Sequence, residues 1–165
     1  MPVSLRFEIE GDVQLQRMLE VSIPAAMKAE LKDFHTDAGS LVVQHSQELF
    51  QNSGAGIETA PVWAKLSPET VKAKLAKGYS SKPLIATGRL AGATKKQVDA
   101  SGVTIYNEAM EDYGKYHQSA QPRTRLPRRA FLEIDNRTRS NIVRLLQVRI
   151  FNALNPGRAT ITSLR

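Results

Sequence analysis

"PAAMKAELKDFHTDAGSLVVQHSQELF", residues 24–50, decides the fold. Met27, Leu31, Phe34, Ala38, Leu41, His45 and Leu49 recur at spacings of three or four, which places all seven on one helical stripe. A helix from Pro24 to Phe50 would reach about 40 Å at about 1.5 Å per residue. Gly39 and Ser40 are where it could bend or be interrupted. His45, on the stripe, reads as a packed imidazole with one ring nitrogen hydrogen-bonded, since a buried ring needs a partner but no catalytic task.

Upstream, "VSLRFEIEG" alternates Val3, Leu5, Phe7 and Ile9 with Ser4, Arg6, Glu8 and Glu10, the period of a half-buried strand stopped by Gly11. Asp12 can cap a short helix carrying Leu15, Met18 and Leu19. Downstream, the Gly-rich 51–62 reads as a mobile loop. "LSPETVKAKLAKG" then reads as a helix with Ser67 as N-cap, Pro68 at its first position, Glu69 in its first turn and Gly78 as its stop. The stretch 82–93 is ambiguous. Val98, then Val103, Ile105 and Asn107, flank an Asp-Ala-Ser-Gly turn and predict a hairpin. Residues 111–118 predict a short helix, and Pro122 and Pro127 bracket a loop over 119–127. "RAFLEI", 129–134, reads as an edge strand. A last helix is expected over 135–154, with Ile142, Leu145, Leu146, Ile150, Ala153 and Leu154 on its apolar face, stopped by Asn155-Pro156-Gly157.

The expected fold is therefore α+β: a small antiparallel sheet packed against one long helix and a C-terminal helix. Residues 1–154 form the single domain, with mobile loops near 51–62 and 119–127, and 155–165 form a C-terminal tail. At 165 residues such a domain buries about 70% of the surface of its unfolded chain.

Composition narrows the chemistry. Cysteine is absent, which excludes disulfides, thiolate nucleophiles and cysteine-ligated metals. No long apolar run or signal-peptide pattern is present, so the expected setting is a cytoplasm and no membrane. His35 and His45 lie on or beside the helical stripe without a carboxylate at metal-binding spacing, and the sequence holds no phosphate loop, nucleophile elbow or His-Glu-x-x-His. Glu108, Glu111 and Asp112 could share a helical turn, as exposed acids often do. No enzyme activity, cofactor or metal is expected.

Charge is the stronger signal. Residues 1–60 hold 4 Lys/Arg and 9 Asp/Glu, a net of −5, while residues 61–165 hold 19 and 7, a net of +12. That asymmetry suits either a polyanion or copies of the chain meeting acidic face to basic face. Arg123, Arg125, Arg128, Arg129, Arg137, Arg139, Arg144 and Arg149 suit phosphate, and Tyr113 and Tyr116 could stack on bases. A basic nucleic-acid-binding protein contacting DNA through its C-terminal arginines is thus the alternative reading, although no named nucleic-acid module fits.

Four stretches in order, "WAKLSPET" (63–70), "LIATGRL" (84–90), "YGKYHQ" (113–118) and "LPRRAFL" (126–132), resemble the phage virion morphogenesis family, the tail-completion proteins of contractile-tailed phages. The resemblance covers about residues 60–135. Gly114 stands where the family usually has Ala, and Ser119-Ala120 replaces an aromatic-Gly pair. The resemblance implies a non-enzymatic α+β subunit of the virion neck, assembled in the host cytoplasm. It would form a homo-oligomeric ring, with a hexamer the expected count, between head connector proteins and tail terminator or tube proteins. DNA would pass through the channel without specific binding. The interface expected on this basis comprises Trp63, Tyr113, Tyr116, His117, Gln118, Arg123, Arg125, Arg128, Arg129 and Phe131. Trp63 has a second reading as an anchor between its loop and the core, and His117 and Gln118 as hydrogen-bonding groups that hold the start of the next loop.

Overall fold

Residues 25–51 form one uninterrupted helix, so Gly39 and Ser40 do not break it. The computed structural model describes residues 4–6, 25–55, 62–99, 101–109, 113–119 and 126–154. The expected helix after Asp12, most of the first strand, the centres of the two expected loops and the tail lie outside the described residues. Along the chain run β1 (Ser4–Arg6), α1 (Ala25–Gln51), α2 (Pro68–Ala76), α3 (Arg89–Gly92), β2 (Thr94–Val98), β3 (Val103–Asn107), α4 (Lys115–Gln118) and α5 (Asn136–Leu154).

The predicted stripe of α1 is its buried face. Leu31, Phe34, Ala38, His45 and Leu49 are buried and Leu41 is half-buried. Val42, Ser46 and Phe50 widen the face, because α1 is covered on two sides. The sheet lies against one side and α5 against the other. This is the α+β fold expected from the sequence, an antiparallel sheet packed on the long helix, with the C-terminal helix packed on that same helix.

The strands stand in the order β1-β3-β2, all neighbours antiparallel. In the hairpin Thr94 faces Asn107, Lys96 faces Ile105 and Val98 faces Val103. These six share one face, and Val103, Ile105 and Asn107 are buried on it. Its turn is held by Asp99, whose carboxylate accepts from the Ser101 amide and hydroxyl, both at 2.7 Å. Lys96 shares the inward row but does not strand its charge. Its ammonium reaches the Thr36 carbonyl at 2.6 Å and the Ser40 hydroxyl at 2.5 Å on α1.

Gly39 sets how closely helix and hairpin approach. A Cβ there would stand 2.7 Å from Val103 Cγ2 and 3.0 Å from Lys96 Cδ. A buried polar chain continues the contact: Ser46 Oγ meets Thr94 Oγ1 at 3.2 Å, and Asn107 Nδ2 donates to Thr94 Oγ1 at 2.9 Å and to the Leu90 carbonyl at 2.8 Å. The Asn107 side-chain oxygen accepts from the Ala109 amide at 3.0 Å, so its amide is satisfied on both ends. The ambiguous stretch 82–93 thus ends in α3, which turns in at Gly88 (φ 81°) and buries Leu90.

Helix α2 forms with the expected caps. Ser67 Oγ accepts from the Thr70 amide at 3.2 Å, and Pro68 opens α2. Gly78, at φ 71°, closes it: the Gly78 amide returns to the Leu75 carbonyl and the Tyr79 amide to that of Lys74. Asp135 caps α5, its Oδ1 accepting from the Thr138 amide at 2.7 Å. Arg129–Ile134, expected as an edge strand, forms none. The Phe131 and Leu132 amides go to the Gln118 side chain instead of to a neighbouring strand. Among the described residues, no helix is long and apolar enough to cross a membrane.

Gly39→Val is expected to destabilise the fold by about 1–3 kcal/mol, since the helix–hairpin contact must open. Gly92→Ala, where a Cβ meets nothing, is the control and should stay within about 1 kcal/mol of the native chain. Urea unfolding monitored by circular dichroism measures both.

Candidate attachment site

Two of the stretches singled out in the sequence, 63–70 and 126–132, meet at one indole ring. Trp63 is buried at 3% exposure, edge-on to Phe50 with centroids 5.5 Å apart, and Phe50 in turn lies 5.1 Å from Phe131. A buried indole N–H needs an acceptor, and Trp63 Nε1 donates to the Ala130 carbonyl at 3.1 Å. Gly54 supplies the floor. It sits at φ 76°, and a Cβ on it would come within 2.7 Å of the Trp63 ring. The Trp63 amide donates to the Ser53 carbonyl at 3.1 Å, tying both ends of the 51–62 stretch together.

Gln118 does for residues 129–132 what a neighbouring strand would have done. Its Oε1 accepts from the Phe131 amide at 2.6 Å and the Leu132 amide at 3.3 Å, while its Nε2 donates to the Leu132 carbonyl at 3.3 Å. The Arg129 amide returns to the His117 carbonyl at 3.1 Å. The chain therefore leaves at Ser119 and comes back at Leu126 over a fastened base. Arg123 and Arg125, between these points, lie outside the described residues.

The expected interface residues divide by burial. Trp63, Arg129 and Phe131 point into the chain's own core and bring no exposed side chain to a neighbour. Arg129 donates from Nε and Nη2 to the Ala64 carbonyl at 3.1 and 2.8 Å, and burial lowers its pKa from the ordinary arginine value. Arg128 is exposed, pairs with Glu133, and donates to the Gln118 carbonyl at 3.3 Å. His117 and Gln118 are half-buried in the fastened base, and the Gln118 contacts match its reading as a group that holds the loop. Tyr113 and Tyr116, at 39% and 40% exposure, are the aromatic surface of the group.

Part of the charge match between the two halves is made inside a single chain. Arg149 on α5 donates to Glu30 at 3.1 Å and Asp37 at 2.5 Å on α1, with Asp33 at 3.9 Å. Burial lowers the Arg149 pKa, but the hydrogen bonds and charges of Asp37 and Glu30 outweigh it, and the net shift is upward. Arg137, Arg139 and Arg144 remain exposed on α5, which carries no acidic residue.

Between the end of α1 and the start of α5 opens a cleft of about 170 Å³ lined by His45, Glu48, Asn52, Asp135 and Asn141. His45 and Asp135 are buried, with Nδ1 and Oδ1 3.9 Å apart. Burial raises the Asp135 pKa, yet hydrogen bonds from Thr138 and the charges of His45 and Arg137 hold it below the ordinary carboxylate value. Glu108, one of the three acids singled out in sequence, pairs with Lys95 at 2.9 Å, and Glu111 and Asp112 lie outside the described residues. Among the described residues, no group of three or more His, Asp or Glu side chains is placed to hold a metal ion.

Sequence reasoning passed over Gly54, whose value depends on a ring nine positions away, and Ala64, which contributes only a carbonyl. No family model matches the chain, and no curated protein or solved structure matches it.

Two outcomes are expected. Gln118→Ala leaves two amides without their acceptor and should cost about 1–3 kcal/mol in chemical denaturation. Asp135 has a depressed folded pKa, so its stabilisation is present above the unfolded value of about 3.9 and is lost as pH falls through the folded value. Asp135→Asn should therefore flatten the loss of stability below about pH 4, measured by urea titration at successive pH values.

Proposed function

We propose that this chain is a structural subunit of a phage neck, a tail-completion protein that forms a ring at the head–tail junction and helps join the tail to the DNA-filled head. The observation that carries the reading is the convergence of the four resembling stretches. Trp63, Leu90, Phe131 and Leu132 belong to one buried cluster, with Leu84 and Ile85 packed against it, and Gln118 ties the third stretch to the fourth. Stretches spread from residue 63 to residue 132 are thus held together as one packed unit, which supports reading them as a single device.

In this reading the device is a rigid base for the chain between Ser119 and Leu126, where Arg123 and Arg125 meet protein carboxylates of a neighbour. The subunits associate head to tail, acidic half to basic half, a contact that closes into a ring when the rotation permits. Opposite charge directs the encounter. DNA moves through the channel, which is best served by a lumen with few phosphate-binding cations, because counterion release would hold the duplex in place.

One observation favours the second reading, DNA binding: α5 exposes Arg137, Arg139 and Arg144 and carries no acidic residue of its own. Particles assembled without this protein should show filled heads and complete but unattached tails by electron microscopy, and normal joined particles would overturn the neck reading. A duplex-DNA gel shift at moderate salt that is lost when Arg137, Arg139 and Arg144 become Ala would favour the second.

A further inference from the structure

Glu30 and Asp37 meet Arg149, Glu108 meets Lys95 and Glu133 meets Arg128, all within one chain. Glu48 and Asp135 are different. Both line the cleft of about 170 Å³ between α1 and α5, and among the described residues neither has a lysine or arginine in ion-pair contact. Glu48 is half-buried, and its Oε1 accepts from Gln44 Nε2 at 2.9 Å, which leaves Oε2 to the cleft. Asp135 is 5% exposed, and the Thr138 amide takes only part of the acceptor capacity of its carboxylate. Burial raises its pKa, but the Thr138 hydrogen bonds and the charges of His45 and Arg137 bring it below the ordinary carboxylate value, so the group is ionised at neutral pH.

A second observation comes from His45, also 5% exposed and lining the same cleft. The hydrogen bond expected for its ring is not made within the described residues. Asp135 Oδ1 stands 3.9 Å from Nδ1, beyond hydrogen-bond reach. A buried imidazole without a partner is costly, and this one opens onto polar space. Asn52 and Asn141 stand on the rim, each with an amide oxygen to offer. Arg137 is exposed there and acts on Asp135 through its charge alone, so two carboxylates against one guanidinium leave the cleft net acidic.

The lining selects its ligand. Two carboxylates reject an anion, and among the described residues no three His, Asp or Glu side chains are placed to hold a metal ion. The volume is below the about 300–1,000 Å³ of small-molecule pockets and suits one side-chain head group. The acceptors approach from two sides, Glu48 and His45 from α1 and Asp135 and Asn141 from the start of α5. A flat group with donors on several edges fits between them, and guanidinium is less strongly hydrated than ammonium, so it loses less on entering. We propose that the cleft between α1 and α5 is a binding site for an arginine side chain presented by another polypeptide.

The test titrates the isotope-labelled full chain with N-acetyl-arginine methylamide and follows the His45 ring and the Asn52 and Asn141 side-chain amides by NMR. Saturable shifts confined to the cleft are expected. Glu48→Gln, which removes charge and keeps shape, should weaken binding at least about threefold, and Arg137→Ala, which removes a competing cation, should tighten it. The citrulline analogue, similar in shape but uncharged, should give no shift, and the lysine analogue should bind at least about threefold more weakly. A concentration series of the chain alone separates the sources. The same shifts on concentration assign the arginine to a second copy, and their absence while the probe still binds assigns it to a different protein. No shift with the arginine probe, equal binding of either analogue, or equal binding to Glu48→Gln overturns the site. The site belongs to the single subunit, and the neck reading is judged separately by whether particles lacking the protein lose their tails.

Discussion

An indole N–H shut away from water must find an acceptor, and here the acceptor is a main-chain carbonyl 67 residues along the sequence. That one bond, Trp63 to Ala130, brings the turn after α1 against the segment before α5. Phe50 and Phe131 close on the ring, and only glycine fits beneath it at position 54. The Arg129 guanidinium fastens the same two segments from the other side, through the Ala64 carbonyl. With that junction made, the amides of residues 131 and 132 face Gln118, and a side chain can replace a strand.

This arrangement changes what the basic half of the chain has to offer. Arginine serves here in three ways: as a buried donor to a carbonyl at Arg129, as an ion-pair centre between helices at Arg149, and as exposed charge at Arg137, Arg139 and Arg144. The first two stabilise one subunit and leave less for a partner. Lysine is divided in the same way, with Lys74, Lys82 and Lys96 turned onto carbonyls and Lys65, Lys72 and Lys77 facing outward. Counting formal charge therefore overstates the surface field, and the exposed remainder on α2 and α5 is what a carboxylate or a phosphate would meet.

Much of the architecture was legible in the residues because its causes are local. The stripe of α1 follows from a 3.6-residue period, the hairpin from alternation around an Asp-Ala-Ser-Gly turn, and the ends of α2 from Ser67, Pro68 and Gly78, all within a few positions of the groups they satisfy. The same local logic failed at 129–134. Those residues have the composition of a strand, but a ladder needs a partner edge, and local pattern does not say whether the fold leaves one nearby.

The sequence by itself determined the helical stripe of α1, the hairpin and the two ends of α2, and that acid and base are held apart along the chain. Tertiary structure alone decided that Trp63 and Arg129 are interior, that Gln118 takes the place of a strand, and that Arg149 finds its acids at Glu30 and Asp37, more than 100 positions away. The physical reason is range. A cap or a period is settled by dihedral preferences and hydrogen bonds among near neighbours, whereas the partner of a buried polar group is settled by which distant surface the packed core brings within 3 Å of it.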